Sequence, residues 1–324
     1  MANFLVTGAA GFLGSNLSFK LLAAGNGVIG VDDFSSGTIK NLETLKKFNN
    51  FKFIKADICQ PLEFDEPIDG IYNLACPASP VFYQKMPIHT LKTCSIGVFN
   101  LASLAKQKNA KFLQASTSEV YGDPEIAPQK ESYRGNVCPV GPRSCYDEGK
   151  RFAESSLANF FRNGELDARI VRIFNTYGPG MRVDDGRVVS NFIVQALENL
   201  PMTIYGSGQQ TRSFCFVDDL IDGLVAAMDK DEKFLGPINL GNPKSHTIFE
   251  LADLIISLTG SESKICFQKL PVDDPKLRCP DTSLAAQKLG WSAKTDLISG
   301  LNKTIEFFRS ELNQNFKVKM LGKS

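Results

Sequence analysis

A glycine-rich turn near the amino terminus constrains the fold of this chain more than any other feature. Gly8, Gly11 and Gly14 follow the apolar run 4–6 and lead into a helical pattern. Glycine at these places permits a tight turn, close approach of the backbone to a pyrophosphate, and close packing of a helix on a strand. The spacing is GxxGxxG rather than the commoner GxGxxG. Its position between a strand and a helix nevertheless predicts a dinucleotide site.

The rest of the first half alternates short β-branched runs with longer helical patterns. This alternation predicts βαβ units, a parallel sheet and helices on both of its faces. We therefore predict an α/β fold, a Rossmann-type doubly wound parallel sheet with a smaller C-terminal substrate-binding lobe. The predicted strands are 3–7, 27–32, 51–55, 69–74, 110–116 and 168–173, and the predicted helices are 12–24, 87–108 and 146–162.

After about residue 174 the alternation of strand and helix patterns becomes less regular, and segments rich in Gly, Pro and Asp separate the helical patterns. We predict a nucleotide-binding domain over residues 1–174, a substrate-binding lobe over 175–316 with some segments returning to the sheet, and a tail over 317–324. In the lobe we expect helices at 188–199, 217–229, 247–259 and 295–311, and short strands at 202–205, 212–216 and 264–268.

Composition and charge exclude several classes of protein. The chain has 324 residues and a formal net charge of +1, so no broad basic surface indicates nucleic acid or an anionic membrane as a partner. No apolar run reaches transmembrane length.

The eight cysteines are scattered without a CxxC pair, and only two histidines are present. We therefore expect reduced thiols in a cytoplasmic protein, and no metal site.

The end of the second predicted strand indicates which dinucleotide is bound. Asp32 and Asp33 lie there, and a carboxylate at this place accepts hydrogen bonds from the adenosine ribose and repels a 2′-phosphate. No arginine follows nearby, and Lys40 is the nearest cation downstream. We therefore expect NAD rather than NADP, with Asp32 as the ribose ligand. Asp57, at the end of the third strand, either faces the adenine or serves as a loop or capping residue.

Tyr146 and Lys150 are the strongest catalytic candidates. A spacing of four places both side chains on one face of a helix, one turn apart. A free phenol has a pKa of about 10, and a nearby ammonium together with a cationic nicotinamide ring would lower it. Such a phenolate can accept a proton from a sugar hydroxyl while a hydride leaves the same carbon. The spacing alone is common on helix surfaces, so the prediction depends on the rest of the chain.

Longer segments spread over residues 3–311 carry a resemblance to a known family. The most specific are 74–80, 90–93, 115–124, 142–151, 172–179, 185–192, 210–218 and 273–281. On these segments the chain resembles the extended short-chain dehydrogenase/reductase family of nucleotide-sugar enzymes, in particular its branch that decarboxylates UDP-glucuronate. The resemblance implies an NAD-dependent conversion of UDP-glucuronate to UDP-xylose and CO2 through a 4-keto intermediate, with the cofactor recycled. It also implies a homodimer in which helices 87–108 and 146–162 pair across a two-fold axis.

The resemblance also implies roles for individual side chains. Tyr146 would be the base and acid at the C4 hydroxyl, and Lys150 would lower its pKa. Thr117 would bond the C4 oxygen, Glu119 would work near the sugar ring, and Arg278 would face the reactive end of the sugar. The implied substrate-binding residues are Lys92, Asn100, Thr117, Glu119, Tyr146, Asn175, Asn191, Tyr205, Arg212 and Arg278. The implied cofactor-binding residues are Gly8, Gly11, Phe12, Leu13, Gly14, Asp32, Asp33, Asp57, Ile58, Leu74, Ala75, Cys76, Thr93, Ala115, Tyr146, Lys150, Thr176 and Arg187.

Structural roles remain open for several of these residues. Asn100 could brace a helix, Tyr205 could belong to the core, and Arg212 could form a surface ion pair. Glu119 could be a structural carboxylate at the end of a strand. Cys76 stands where the resembled family is expected to have serine.

Other functions also remain open. UDP-glucuronate 4-epimerase shares the substrate, and UDP-apiose/xylose synthase is a branching variant of the same chemistry. A 4,6-dehydratase is disfavoured, because the family's dehydratases place an Asp-Glu pair where this chain has Ser118 and Glu119, and serine is a poor general acid. A catalytically silent NAD-binding sensor would need none of Tyr146, Lys150 and Thr117, yet all three are present.

Overall fold

The computed structural model describes residues 1–270 and 277–321, and most of the regular elements match the predicted ones. The strands are β1 (Asn3–Thr7), β2 (Gly27–Asp32), β3 (Phe51–Lys55), β4 (Gly70–Asn73), β5 (Lys111–Thr117), β6 (Ala168–Ile173), β7 (Thr176–Tyr177), β8 (Met202–Tyr205), β9 (Thr211–Ser213), β10 (Cys215–Phe216), β11 (Ile238–Leu240), β12 (Ser245–Thr247), β13 (Ile265–Gln268) and β14 (Leu277–Arg278). The helices are α1 (Phe12–Ala23), α2 (Pro80–Lys85), α3 (Pro87–Lys92), α4 (Val98–Lys108), α5 (Ser144–Arg162), α6 (Val188–Leu197), α7 (Val217–Asp229), α8 (Ile248–Thr259), α9 (Ser283–Leu289) and α10 (Leu297–Leu321).

The centre of the fold is a parallel sheet of seven strands in the order β11-β6-β5-β4-β1-β2-β3. Successive residues of a strand point to opposite faces of a sheet, and β1 shows this directly. Phe4 and Val6 belong to a core cluster shared with α1 and α7, whereas Leu5 belongs to a second cluster with α4 and α5. Helices therefore cover both faces, which confirms the predicted doubly wound α/β class.

The strand order reverses between β1 and β4. From β1 the chain proceeds outward through β2 and β3, and from β4 it proceeds in the other direction through β5 and β6. Ligands of open α/β sheets bind outside the carboxyl ends of the strands at such a reversal. The turn after β1 and the loop after β4 therefore meet where a dinucleotide is expected.

Helix 87–108 was predicted as one element and is interrupted. A π-helical turn, Thr93–Gly97, separates α3 from α4. Thr93 donates its hydroxyl to the carbonyl of His89 at 2.9 Å, and Ser95 donates to that of Leu91. Such bonds to the carbonyl four residues earlier compete with the helical ladder and bend helices.

The predicted strand 212–216 is also divided. Its first part, β9, lies between β12 and β14, and its second part, β10, pairs with β7. Hydrophobic patterning does not distinguish one long strand from two short ones in different sheets. Of the elements absent from the prediction, β14 has the most consequence, since it carries Arg278.

The C-terminal half contributes β11 to the edge of the main sheet, where it pairs with β6. Residues 273–276 of the segment 273–281 lie outside the described residues, as do residues 322–324 of the predicted tail. Over the described ranges, 1–270 and 277–321, no helix is both long and apolar enough to cross a membrane.

Candidate active site

The turn after β1 brings backbone atoms very close together. Gly8 has a φ of +72°, and a Cβ atom there would lie 2.9 Å from backbone atoms of Leu74 and Ala75. A Cβ atom at Gly14 would lie 2.0 Å from the carbonyl oxygen of Gly8. Only glycine therefore fits at both places. The close packing leaves the first turn of α1, with its free N–H groups, facing the edge of the sheet, where an anionic ligand is favoured.

Two adjoining clefts, of about 460 and 650 Å³, follow this edge and share Gly8, Gly11, Leu74 and Cys76 in their walls. Most of the predicted cofactor-binding residues line them, namely Gly8, Gly11, Phe12, Leu13, Gly14, Asp32, Asp33, Asp57, Ile58, Leu74, Ala75, Cys76, Thr93 and Arg187. The remaining four, Ala115, Tyr146, Lys150 and Thr176, lie on β5, α5 and β7. The fold thus brings fourteen of the eighteen predicted cofactor-binding residues together along one groove.

Asp32 is buried at the end of β2. Its oxygens accept hydrogen bonds from the backbone N–H groups of Phe34, at 2.8 Å, and Ala10, at 3.0 Å. Burial raises the pKa of Asp32, and these two bonds oppose the rise. An ionised carboxylate has about four acceptor positions, so capacity remains for the hydroxyls of a ribose. The donors and acceptors of this end of the cleft therefore fit a dinucleotide.

Asp33 and Asp57 lie beside a histidine that the sequence analysis did not include. Asp57 accepts from the backbone N–H of Cys59 at 2.8 Å, and it also lines the cleft, so both of its proposed roles are compatible with its place. His89 Nε2 lies 3.1 Å from the Asp33 carboxylate. No local motif indicated His89, because it comes from α3, far from both aspartates in the chain.

The catalytic candidates meet where β5 ends and α5 begins. Lys150 Nζ donates to the carbonyl of Ala115 at 2.8 Å and lies 5.7 Å from the centroid of the Tyr146 ring. Burial raises the pKa of Tyr146, the charges of Cys76 and Glu119 act in the same direction, and a hydrogen bond with Thr117 opposes them. For the groups of the chain alone, burial dominates and the net direction is upward; a lowering of this pKa by Lys150 stays a prediction. A positive charge brought by a ligand is needed to favour the phenolate.

Glu119 is at the centre of a buried charge cluster. Its carboxylate accepts from Arg143 at 2.6 Å and from Arg278 at 3.1 Å. Burial alone would raise the pKa of Glu119, but the two guanidinium groups outweigh it and lower the pKa to about 2. Glu119 is therefore ionised at neutral pH.

Asp147, next to Tyr146, completes this cluster. Burial, the charge of Glu119 and a hydrogen bond with Glu119 raise the pKa of Asp147 to about 8, against the effect of Arg143 and Arg278. Two buried carboxyl groups in contact cannot both ionise easily, so Asp147 holds a proton beside Glu119. Asp147 and Arg143 are not among the residues predicted from the sequence, although both lie within the segment 142–151 that carried the resemblance.

Three polar atoms around this cluster are buried and, within the part of the chain that is described, lack a hydrogen-bond partner. They are Tyr83 Oη, Asp147 Oδ1 and Arg278 Nη2. The Tyr83 ring stacks on that of Tyr146, with centroids 5.0 Å apart and planes 3° from parallel. Buried polar atoms nearly always have partners. Their grouping therefore fits a ligand with hydroxyl and carboxylate groups.

The remaining predicted substrate residues occupy varied positions. Asn100 donates its amide to the carbonyl of Ile58 at 2.9 Å, which braces α4 against the loop after β3. Asn191 donates to the carbonyl of Gly186 at 3.1 Å. Asn175 is half-buried between β6 and β7, and Lys92 is exposed at the end of α3.

Four further predicted site residues lie in the C-terminal half. Arg212 and Arg278 are buried neighbours in the register of β9 and β14. Tyr205 is 42% exposed on β8, so the alternative of a core residue is wrong. Arg187 forms a two-point ion pair with Asp185 and lines the second cleft together with it.

Comparisons with known proteins agree with this geometry. Residues 4–241 match the model of the NAD dependent epimerase/dehydratase family. UDP-glucuronic acid decarboxylase 1 from Xenopus tropicalis is 50% identical over 95% of this chain and 72% of its own length. The enzyme of the same name from Arabidopsis thaliana is 48% identical over 95% of this chain and 70% of its own length.

A solved structure resembles the whole chain. UDP-glucuronic acid 4-epimerase from Bacillus cereus, in complex with UDP-glucuronic acid and NAD, superposes with a TM-score of 0.85 at 30% identity. The match covers 95% of this chain and 99% of the epimerase. The overall architecture is therefore shared between this chain and the epimerase, and only the residues around the sugar can separate decarboxylation from epimerisation.

Proposed function

Because the chain belongs to the NAD dependent epimerase/dehydratase family and, within it, to the UDP-glucuronic acid decarboxylases, we propose that it converts UDP-glucuronate to UDP-xylose and CO2. One observation of the site carries the proposal. Arg278 is held by Glu119 through Nη1, whereas its Nη2 is buried without a partner among the described residues. A buried guanidinium with one unpaired nitrogen can donate hydrogen bonds to the carboxylate of a sugar acid.

The cofactor of the reaction is NAD. When bound, NAD⁺ would supply a reversible hydride acceptor for C4 of the sugar. The backbone N–H groups at the start of α1 would hold the pyrophosphate, and Asp32 would bind the adenosine ribose. Lys150 is held near the end of β5 by its hydrogen bond to the carbonyl of Ala115.

Proton transfer at C4 belongs to Tyr146. Thr117 lies close enough to the Tyr146 hydroxyl to lower the pKa of Tyr146 against the effect of burial, so both oxygens can contact the C4 oxygen of the sugar. Since burial keeps the phenol protonated in the chain alone, Tyr146 becomes a base only when a cationic ring lies beside it. The proton is then available to return to the C4 oxygen when the hydride comes back.

Loss of CO2 follows from the oxidation at C4. A 4-keto sugar with a carboxylate on C5 is a β-keto acid, so CO2 leaves without removal of a C–H proton and the electrons move to the C4 oxygen. Thr117 and Tyr146 can donate hydrogen bonds to that developing negative charge. Afterwards C5 must receive a proton. Asp147 is a protonated buried acid within the same cluster.

Epimerisation of UDP-glucuronate is the second candidate. It is favoured by the likeness to the Bacillus cereus epimerase over 95% of this chain. An epimerase needs room for the keto sugar to turn, and it needs no residue such as Glu119 for a decarboxylation step. The higher identity to the decarboxylases, 50% against 30%, supports decarboxylation.

The test is a product assay with purified protein, UDP-glucuronate and catalytic NAD⁺. We expect UDP-xylose by NMR, CO2 in equal amount and no net reduction of the cofactor. UDP-glucose, which has no carboxylate on C5, is the control and should release no gas. UDP-galacturonate without gas would move the assignment to the epimerase, and UDP-apiose would move it to the branching synthase.

We also propose a homodimer. The surface of α3, the π-helical turn, α4 and α5 exposes Ile88 (64%), Ile96 (45%), Phe99 (44%) and Phe152 (45%). Phe99 and Phe152 lie with ring centroids 6.1 Å apart, which makes the apolar surface continuous. Contiguous apolar surface of this kind marks association sites. Light scattering should give twice the mass of 35.6 kDa, and Phe99→Glu should give the monomer.

We also propose that the two halves of the chain bind different ligands. We infer that residues 1–174 bind NAD and that 175–316 mainly bind the nucleotide sugar, because β9 and β14 place Arg212 and Arg278 side by side. Guanidinium groups at these positions suit the charged groups of a nucleotide-sugar acid. Arg212→Gln should therefore raise the KM for UDP-glucuronate and leave the affinity for NAD unchanged.

We propose a cytoplasmic location. All eight cysteines of the chain are free thiols. The sulfurs of Cys76 and Cys94 lie 3.5 Å apart, and so close a pair remains reduced in compartments that keep thiols reduced. Fractionation of the native host should recover the enzyme with cytoplasmic markers.

A further inference from the structure

Two cysteines from different elements meet beside the cofactor cleft. Cys76 lies in the loop after β4 and Cys94 in the π-helical turn, and their sulfurs are 3.5 Å apart, within hydrogen-bond distance for sulfur. Cys76 contributes to the walls of both clefts, so a small molecule in the groove can reach it. Cys94 is 3% exposed and lies behind it.

The pair packs directly against the catalytic residues. A Cβ atom at Gly149 would lie 3.0 Å from Cys94 Cβ, and Gly149 stands between Tyr146 and Lys150 in α5. Cys76 packs against the small cluster formed by Tyr83, Cys145 and Tyr146. A change in the distance between the two sulfurs would therefore act on the loop that lines the cleft and on the helix that carries the catalytic pair.

The surroundings also favour a thiolate in the pair. The hydrogen bond with Cys76, aided by Lys150, lowers the pKa of Cys94 against the effect of burial, whereas burial raises the pKa of Cys76. One sulfur thus donates its hydrogen to the other. Thiolates are the nucleophilic form of cysteine, and a second thiol in contact can resolve the first oxidation product.

We propose that Cys76 and Cys94 form a site of reversible oxidation, at which a hydroperoxide closes an intramolecular disulfide and switches the enzyme off. In the first step Cys76, the sulfur that lines the groove, attacks the peroxide as the thiolate while the shared proton passes to Cys94; the O–O bond breaks, and a sulfenic acid and an alcohol (water in the case of hydrogen peroxide) result. In the second step the other thiol attacks that sulfur, the disulfide forms, and water leaves. The two thiols together lose two electrons and two protons, and the peroxide is reduced.

The disulfide would disturb the cleft. A disulfide bond is about 2.05 Å long, so the sulfurs must approach each other by about 1.5 Å from their present separation. Residue 76 lines both clefts, and its movement would reshape the wall against which the cofactor lies. Bound NAD should in turn shield Cys76 and slow the oxidation. Exchange with an added dithiol should reverse it.

The test is treatment of the purified chain with hydrogen peroxide, with and without NAD, followed by tryptic mapping. Peptide 56–85 carries Cys76 and peptide 93–106 carries Cys94. We expect a cross-link between these peptides, a thiol count two below the eight of the reduced protein, loss of NAD binding, and recovery with dithiothreitol. Saturating NAD should slow the reaction severalfold. The readouts are covalent mapping and NAD binding, so they do not depend on which sugar is the substrate.

A matched control resolves which sulfur of peptide 56–85 reacts. Cys59 lies in the same peptide, and its sulfur is 3.9 Å from the Thr93 hydroxyl, close to Cys94 in sequence. Cys59→Ser should keep both the cross-link and the reversible loss of NAD binding. Cys94→Ser should abolish both when compared with its own untreated sample. The proposal is overturned if the unchanged chain gives no such cross-link, or if Cys59→Ser removes it.

Discussion

The two ends of the cleft are built in different ways. At the cofactor end, which comprises the turn from Gly8 to Gly14 and Asp32, neighbouring backbone groups make most of the contacts, and Asp32 lies only 22 residues from its partner Ala10. At the sugar end, which comprises Glu119, Arg143, Asp147 and Arg278, side chains make the contacts, and one of them comes from a distant segment. The bond from Arg278 to Glu119 joins residues 159 positions apart.

This difference has energetic consequences. The cofactor end uses N–H groups that the fold has already fixed, so a change there should act mainly on the affinity for NAD. The sugar end buries several charges whose mutual attraction offsets the cost of removing them from water. A change at one of them leaves another charge unpaired, so it should affect both stability and turnover.

The largest effect should come from Tyr146→Phe, which removes the proton-transfer group that links the two ends. General acid–base catalysis contributes about 10² to 10⁴ in rate, so we expect kcat to fall about 10³-fold with NAD binding retained. Tyr83→Phe is the matched control, because it removes the phenol hydroxyl of the neighbouring ring, which stacks on that of Tyr146. Steady-state kinetics should show a much smaller loss for Tyr83→Phe. Equal losses would contradict the assignment of the proton transfer to Tyr146.

Glu119→Gln should have the next largest effect. It leaves the buried guanidinium groups of Arg143 and Arg278 without their shared negative charge, and breaking a buried ion pair costs about 3 kcal/mol or more. Asp32→Asn is the comparison from the cofactor end. No buried cation faces Asp32 among the causes of its pKa shift, so the change should cost about 1 kcal/mol. Urea unfolding measures both, and equal costs would remove the distinction between the two ends.

The sequence predicted the cofactor end better than the sugar end, for a physical reason. Gly8, Gly14 and Asp32 signal their roles locally, because each lies beside a strand end that hydrophobic patterning can locate. Asp147 and Tyr83 carry no such local signal, because their importance arises only when Arg278 arrives on β14 from the far end of the chain. The environment of Tyr146 is a related case. Proximity to Lys150 is readable from the spacing, whereas the burial that raises the pKa of Tyr146 is not.

Asp147 should make the free energy of unfolding depend on pH, and this effect belongs to the sugar end of the cleft. Its pKa is about 8 in the folded chain and near 3.9 when unfolded, so between these values the folded state holds the extra proton. Stability due to this group is present at low pH and is lost as the pH rises towards 8. The slope can reach at most about 1.4 kcal/mol per pH unit.

Asp147→Asn is the variant that tests this dependence. It should keep a hydrogen-bond donor for Glu119 and remove the slope, so the free energy of unfolding should become less dependent on pH between 5 and 8. Glu119 contributes with the opposite sign, since its pKa of about 2 means that its contribution is lost only as the pH falls below about 4. An unchanged slope in Asp147→Asn, measured by urea unfolding across this range, would contradict the shared proton.

The smallest effect should come from Asp32→Ala at the cofactor end. Loss of the ribose hydrogen bonds should raise the Kd for NAD about tenfold, which corresponds to about 1.4 kcal/mol. The repulsion of a 2′-phosphate should also disappear, so the preference for NAD over NADP should narrow. Calorimetric titration with both cofactors measures the two changes, and an unaltered preference would contradict the role of Asp32.

The most direct test of the whole account is the reaction in D2O, with the UDP-sugar product analysed by NMR. In the proposed reaction C4 loses and regains the same hydrogen through NAD, whereas C5 receives a new proton after CO2 leaves. The predicted product is UDP-xylose with one deuterium at C5 and none at C4. Deuterium at C4, or a product that keeps its carboxylate, would contradict it.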